Sequence, residues 1–301
     1  MKNTNKLKRC LDYLKNNNEK IVNNFNDKVP SEKEQLLLNY LNLLKNKLKE
    51  KYNSQFCELF IDEYGFKKNI CSSIIQIYFP FDTGNNYKEI YELIKNYFSY
   101  EIILRKKIET LLIPSVSLVF DWKIADCADL STIVVSSLRV KNYEAYVVCG
   151  EAPFSICSRN DKKNFCEFSY KKIKLPKGEN ENIEDIKDKK KKYEQLMGTQ
   201  KILLTKNTFE KDRTYLEKDV YIHMWILIKK SLDLEKDIFI EMATGREYDI
   251  NDCPYRSIFY LWNEKNVYIN IKKTKNIEKL ISEIYNQEYF TPAFFEEIKY
   301  K

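Results

Sequence analysis

One stretch constrains the fold more than any other. It runs Ala125-Asp126-Cys127-Ala128-Asp129-Leu130-Ser131-Thr132-Ile133-Val134-Val135-Ser136-Ser137-Leu138-Arg139, and an apolar run, Ala145–Cys149, follows shortly before Gly150. Leu130, Ile133, Val134 and Leu138 fall on one helical face, which predicts a helix with Cys127 in its first turn. Ala145–Cys149 reads as a short strand ending at Gly150. Two further strand signals, Val220–Ile228 and Ile238–Glu241, precede a turn at Thr244-Gly245-Arg246; Tyr260–Trp262 and Asn266–Ile271 suggest more strands, and a helix is expected over 276–286. Upstream, Pro30, Ser31 and Glu34 form a capping-box pattern ahead of Leu36, Leu37, Tyr40, Leu41, Leu44 and Leu48 at helical spacing. A second helix is predicted over 86–98, while 56–66 and 70–81 read as loop-rich extended segments. Helix and strand mixed, with strands clustered late, predict an α+β fold.

With 301 residues and a 44% apolar share the chain has ample material for a packed core, in one large domain or two. Residues 1–30 read as a basic Asn/Lys-rich tail with a weak apolar repeat at Leu7, Leu11 and Leu14, residues 31–275 as the folded domain, and 276–301 as a C-terminal helix and tail. Within the domain, 171–200 reads as a charged insertion: nine basic and six acidic groups lie between 171 and 194. The net charge is +7, and 44 of the 51 basic residues are Lys. Sequence-reading DNA proteins lean on the planar fork of Arg, so nucleic acid is not the expected partner; a Lys-rich surface suits loose attraction to an acidic filament. No run approaches the roughly 18 apolar residues a membrane span needs. The start, Met1-Lys2-Asn3-Thr4-Asn5, is not an apolar leader, so a soluble cytoplasmic protein with reduced thiols and no membrane contact is expected.

Eight cysteines show no Cys-x-x-Cys pair, and there is a single histidine, His223. Zinc ribbons and two-His metal sites are therefore excluded, and neither a metal nor a cofactor is expected. A histidine-dependent centre has to use His223. Cys127 at a helix N-terminus sits where partial positive charge favours a thiolate. His223 lies on one predicted strand and Glu241 at the end of the next, so an antiparallel pair brings imidazole and carboxylate side by side. Nucleophile, base and orienting acid in that order are the parts of a thiol acyl-transfer centre. The plainer alternative is that each is structural, since free Cys commonly packs as a small hydrophobe. Asp126 and Asp129 flank Cys127, and negative charge there disfavours a thiolate. No oxyanion-hole donor is recognisable.

The block Asp126–Arg139 with Tyr143–Gly150 resembles the cysteine-helix segment of transglutaminase-like domains. His223–Ile228, Phe239–Tyr248, Pro254–Ile258 and Leu261–Asn270 resemble the peptidase-like domain shared by the seventh subunit of the nexin–dynein regulatory complex of cilia and a centrosomal relative. Glu32–Tyr40, and Ser158–Cys166 with the charged insertion after it, fit the axonemal subunit in particular. The resemblance covers roughly residues 31–271. It implies a papain-like or transglutaminase-like domain, with a Cys-bearing helix packed on an antiparallel sheet and Cys127, His223 and Glu241 at the triad positions.

It further implies a structural subunit of the linker between doublet microtubules and dynein arms, regulating flagellar beating. The implied partners are other axonemal regulatory-complex subunits and the tubulin of doublet microtubules, and the implied location is the cytoskeleton of the flagellar axoneme. Ala125 and Asn142 stand where the family carries Gly, and Met242 where it commonly carries Pro. The chain ends at Lys301, ahead of the family's C-terminal regions, as a short divergent member or an incomplete gene product does. The leading expectation is a structural module with a vestigial cysteine site. A working cysteine peptidase or transglutaminase-like enzyme acting on proteins, and a centriole or basal-body component, stay open beside it.

Overall fold

The structure, a computed structural model, describes residues 4–17, 32–77, 84, 86–159, 219–272 and 276–294. The charged insertion expected over 171–200, the expected cap Ser31 and Cys166 lie outside these residues. The helices are α1 (Thr4–Asn17), α2 (Glu32–Tyr52), α3 (Tyr87–Tyr97), α4 (Val116–Trp122), α5 (Cys127–Val140), α6 (Phe154–Cys157) and α7 (Ile277–Ser282). The strands are β1 (Leu59–Ile61), β2 (Lys67–Asn69), β3 (Ser99–Tyr100), β4 (Leu111–Leu112), β5 (Ile124–Ala125) and β6 (Ala145–Pro153). They continue as β7 (Val220–Ile228), β8 (Ile238–Glu241), β9 (Arg246–Asp249), β10 (Ser257–Trp262), β11 (Val267–Asn270) and β12 (Phe290–Pro292).

Strands β6 to β12 build one antiparallel sheet in the order β12-β11-β10-β6-β7-β8-β9. Its spine is the β6–β7 pair, in register from Ala145 opposite Ile228 to Pro153 opposite Val220. Period-two alternation sorts the side chains of both strands. Val147, Cys149, Met224, Ile226 and Ile228 join the core shared with α5, whereas Tyr146, Val148, Trp225 and Leu227 join Phe239, Tyr255 and Leu280 on the other side. Covering both faces explains why Ala145–Cys149 and Met224–Ile228 are apolar without interruption. The fold is α+β, as composition and element order predict.

Gly150 sits inside β6 rather than ending it. A Cβ there would lie 2.0 Å from the Ser257 carbonyl oxygen and 2.6 Å from the Trp225 ring. The absent side chain lets β10 approach β6, where Gly150 is opposite both Ile258 and His223. Trp225 in turn stacks on Tyr255, with ring centroids 3.7 Å apart and planes 4° from parallel. A glycine read from sequence as a stop signal is thus a close-approach site.

Helix α5 is buried from Cys127 through Leu138, all the way round rather than along one face. Its hydroxyls make this tolerable by turning back on the helix: Thr132 Oγ1 donates to the Ala128 carbonyl at 3.0 Å and Ser137 Oγ to the Ile133 carbonyl at 2.8 Å. Ser136 Oγ accepts from the Ile75 N–H at 3.2 Å. Polar letters made the helix look amphipathic because these local bonds cannot be seen in a hydropathy pattern.

Elsewhere the elements differ from expectation in detail. Residues 4–17 of the stretch that reads as a frayed helix or basic tail form α1, whose buried residues are Lys6, Cys10 and Leu14 at i, i+4 and i+8, while Leu7 and Leu11 of the expected apolar repeat are exposed. Of the two segments expected as loop-rich and extended, 56–66 carries β1, which pairs with β2 in a hairpin, and 70–81 opens on a 3₁₀ turn at Ile70–Ser73 capped by Asn69. The C-terminal helix is short, and the chain then returns to the sheet as β12, paired with β11. Replacing Gly150 by Ala is expected to lower unfolding stability by about 2–3 kcal/mol in chemical denaturation, because neither the Ser257 backbone nor the stacked Trp225 can yield freely.

Candidate active site

The start of α5 is set by a reciprocal cap. Asp126 Oδ1 accepts from the Ala128 and Asp129 N–H groups at 2.8 and 3.0 Å, and the Asp129 carboxylate accepts from the Asp126 N–H at 3.2 Å. Cys127 therefore becomes the first helical residue, at the positive end of the helix dipole. Ala125, before it, lies in β5 beside Tyr100 of β3 and has no positive φ, so its methyl group is accommodated. Asn142 has φ of 66°, a left-handed conformation that Asn tolerates better than most residues.

His223 and Glu241 come from neighbouring strands, just past the last β7–β8 ladder pair, Ile226 opposite Ile240. His223 Nε2 lies 2.9 and 3.0 Å from the two Glu241 carboxylate oxygens. The same carboxylate also accepts from the Ala243 N–H at 2.8 Å and from the Tyr255 hydroxyl at 3.0 Å. With all its acceptor directions engaged, Glu241 fixes the imidazole through Nε2–H and leaves Nδ1 to exchange a proton with the Cys127 thiol. Cys127, His223 and Glu241 are 1%, 1% and 0% exposed.

Two cations complete the site. Arg105 donates from Nη2 to Asp126 Oδ2 at 2.8 Å and from Nη1 to Cys127 Sγ at 3.7 Å. Lys6 of α1 reaches Asp126 at 3.2 Å and the Asp129 carboxylate at 2.7 Å while only 1% exposed. The thiol of Cys127 also lies 3.8 Å from Met224 Sδ. Neither cation carries a local sequence signal, since Lys6 is 120 residues from Asp126.

These charges set the protonation states. Burial opposes a Cys127 thiolate, but the His223 imidazolium, hydrogen bonding to it and Arg105 outweigh burial and Asp126, so the thiol pKa falls below its ordinary value. Burial likewise opposes the imidazolium, yet Glu241 and Cys127 raise His223 well above its ordinary value. Asp126, buried but gripped by Lys6 and Arg105, is held well below the usual carboxylate range. Burial and the Asp126 charge push Asp129 up to about 7. The expectation that negative charge beside Cys127 disfavours a thiolate holds for Asp126, but His223 and then Arg105 outweigh it, and the net effect on Cys127 is downward.

The arrangement provides a thiol of lowered pKa, an imidazole of fixed orientation and an orienting carboxylate, the parts of thiol acyl transfer, under a closed surface. A cavity of about 360 Å³, lined by Lys45, Phe56, Cys57, Ile108, Glu109 and Thr110, includes none of these groups. Among the described residues no cluster of three or more His, Cys, Asp or Glu is arranged to hold a metal ion, and no helix is long and apolar enough to cross a membrane.

Because His223 is the sole imidazole, its protonation is readable by NMR without assignment. In Glu241→Gln the imidazolium is expected to titrate at lower pH than in the native chain; an unchanged titration would remove Glu241 from its role. Asp129 gives a second test. Its folded-state pKa lies above the ordinary carboxylate value of 3.8, so the folded chain keeps a proton that the unfolded chain loses, and stability falls as pH rises from about 4 to about 7. Asp129→Asn is expected to flatten that decline by up to about 1.4 kcal/mol per pH unit, measured by denaturation across the range.

No family model matches the chain. It is similar to proteins named dynein regulatory complex subunit 7: 21% identical over 284 residues to that of Xenopus tropicalis, covering 82% of this chain and 31% of the relative. The Bos taurus protein is 22% identical over 237 residues, covering 72% of this chain and 27% of its own length. The Homo sapiens protein is 24% identical over 179 residues, covering 52% and 20%. The match thus spans a third or less of these relatives, and over that span the chain is similar to dynein regulatory complex subunit 7.

Proposed function

We propose that this chain is a structural module of a dynein regulatory complex, carried on a papain-like or transglutaminase-like domain whose cysteine site is closed. Burial is the observation that carries this. Attack on an acyl carbon requires the sulfur to come within about 3–3.5 Å of it, whereas Cys127 and His223 are each 1% exposed. The similarity to dynein regulatory complex subunit 7 supports the complex. Other subunits of that axonemal complex are the partners on this account, together with doublet microtubules, whose acidic tubulin surface suits a chain of net charge +7. The flagellar or ciliary axoneme is the corresponding location. In flagellated cells a fluorescently tagged chain is expected along the axoneme, and a Cys127→Ser chain is expected to localise and support beating equally well. A diffuse cytosolic signal would sink the assignment; a basal-body signal would favour the centriolar alternative.

A second reading, a working thiol enzyme acting on protein substrates, is favoured by the lowered Cys127 pKa and the His223–Glu241 bond. Normal localisation with beating lost in Cys127→Ser would select it over the structural module.

A further inference from the structure

Residues 101–107, between β3 and β4, cross the candidate site as a strap with no helix or sheet ladder of their own. Ile102, Leu104, Lys106 and Lys107 face solvent, whereas Arg105 is only 6% exposed. One end is tied to the cysteine side: the Glu101 N–H donates to the Ala125 carbonyl at 2.8 Å, two residues before Cys127. The middle is tied to the histidine side. There the Ile222 N–H donates to the Arg105 carbonyl at 2.7 Å, an isolated antiparallel bridge one residue before His223. Lys106 adds an ion pair to Asp219 at 3.1 Å and lies 3.8 Å above the Tyr221 ring. The Arg105 side chain then points back to Asp126 and Cys127.

One residue therefore presents its main chain to the edge of β7 and its side chain to the thiol end of α5. An extended peptide bound by strand addition makes the same two contacts: backbone hydrogen bonds to an open edge, and a side chain in a pocket that selects it. The edge is open at this point because the β7–β8 ladder ends at Ile226. The pocket is selective because its wall is the buried Asp126 carboxylate, which without a guanidinium there keeps only Lys6, the longer of its two ion pairs, and an under-paired buried charge is costly.

We propose, taking Cys127, His223 and Glu241 as a thiol site, that residues 101–107 are a built-in occupant of its cleft, and that the cleft accepts an extended peptide whose arginine replaces Arg105 against Asp126. Displacing the strap then uncovers Cys127, and the site selects for a guanidinium rather than an apolar side chain.

The test is alkylation of the full chain by iodoacetamide, followed cysteine by cysteine with peptide mass spectrometry. Cys149, fully buried on β6, reports general loosening. In Arg105→Ala, Cys127 is expected to react at least about tenfold faster than in the native chain while Cys149 is unchanged. Added acetyl-arginine amide restores the protection and acetyl-leucine amide does not. Arg105→Lys, which keeps the charge with a shorter reach, is expected to accelerate Cys127 less and serves if the alanine variant does not fold. No acceleration at Cys127, equal acceleration at Cys149, or equal protection by the two amides overturns the proposal. The thiol-site reading is checked separately by the ultraviolet absorbance of a thiolate in the native chain and its loss in His223→Ala. Its absence there removes the nucleophile, whereas labelling of Cys127 still shows whether the strap covers the sulfur.

Discussion

A carboxylate cut off from water has to be surrounded by donors, and the rest of this site depends on how that is done for Asp126. One oxygen caps α5 through two backbone N–H groups, and the other receives Arg105 and Lys6. The helix start, the strap and the N-terminal helix are thereby tied to a single side chain. Removing one partner from such a cluster typically costs about 3–5 kcal/mol, because a charge is left buried and unpaired. The register of Cys127 relative to the sheet follows from this arrangement, since the thiol sits one residue after the capped aspartate.

The same interactions that lower the Cys127 pKa also seal the thiol. Arg105 lowers the Cys127 pKa while bridging to the strand that carries His223. Glu241 raises His223 while its remaining acceptor positions are filled by Ala243 and Tyr255. In a low-dielectric interior these pairings are strong, and they compensate for desolvation only while all the members stay together. Charge and closure are therefore one property here. A domain whose centre is polarised but covered suits a scaffold, and it also suits an enzyme awaiting displacement of its cover; the difference lies in what lifts the strap.

Much of this was legible in residue patterns, and the rest was not for identifiable reasons. The helix bearing Cys127 and the strands bearing His223 and Glu241 follow from apolar spacing, because each is a local pattern. The Asp126-x-x-Asp129 cap was equally local, and Asp126 does oppose a thiolate as its charge suggests; what the sequence could not show is that His223 and Arg105 converge on the sulfur and outweigh it. Lys6 and Arg105 had no local signature: a lysine in an Asn/Lys-rich stretch and an arginine in a loop look solvated until the chain folds. Strands as short as β3, β4 and β5 lack enough residues to show any period.

Lys6 has one further consequence, which concerns time rather than energy. It leaves the ribosome 120 residues ahead of Asp126, a delay of roughly 6–24 s at about 5–20 residues per second. Throughout that interval Lys6 lacks both of its carboxylate partners. A helix of this length is marginal alone in water. The earliest of the described elements is therefore among those that wait longest for their contacts, and a nascent chain carries Lys6 without its carboxylate partners until α5 emerges.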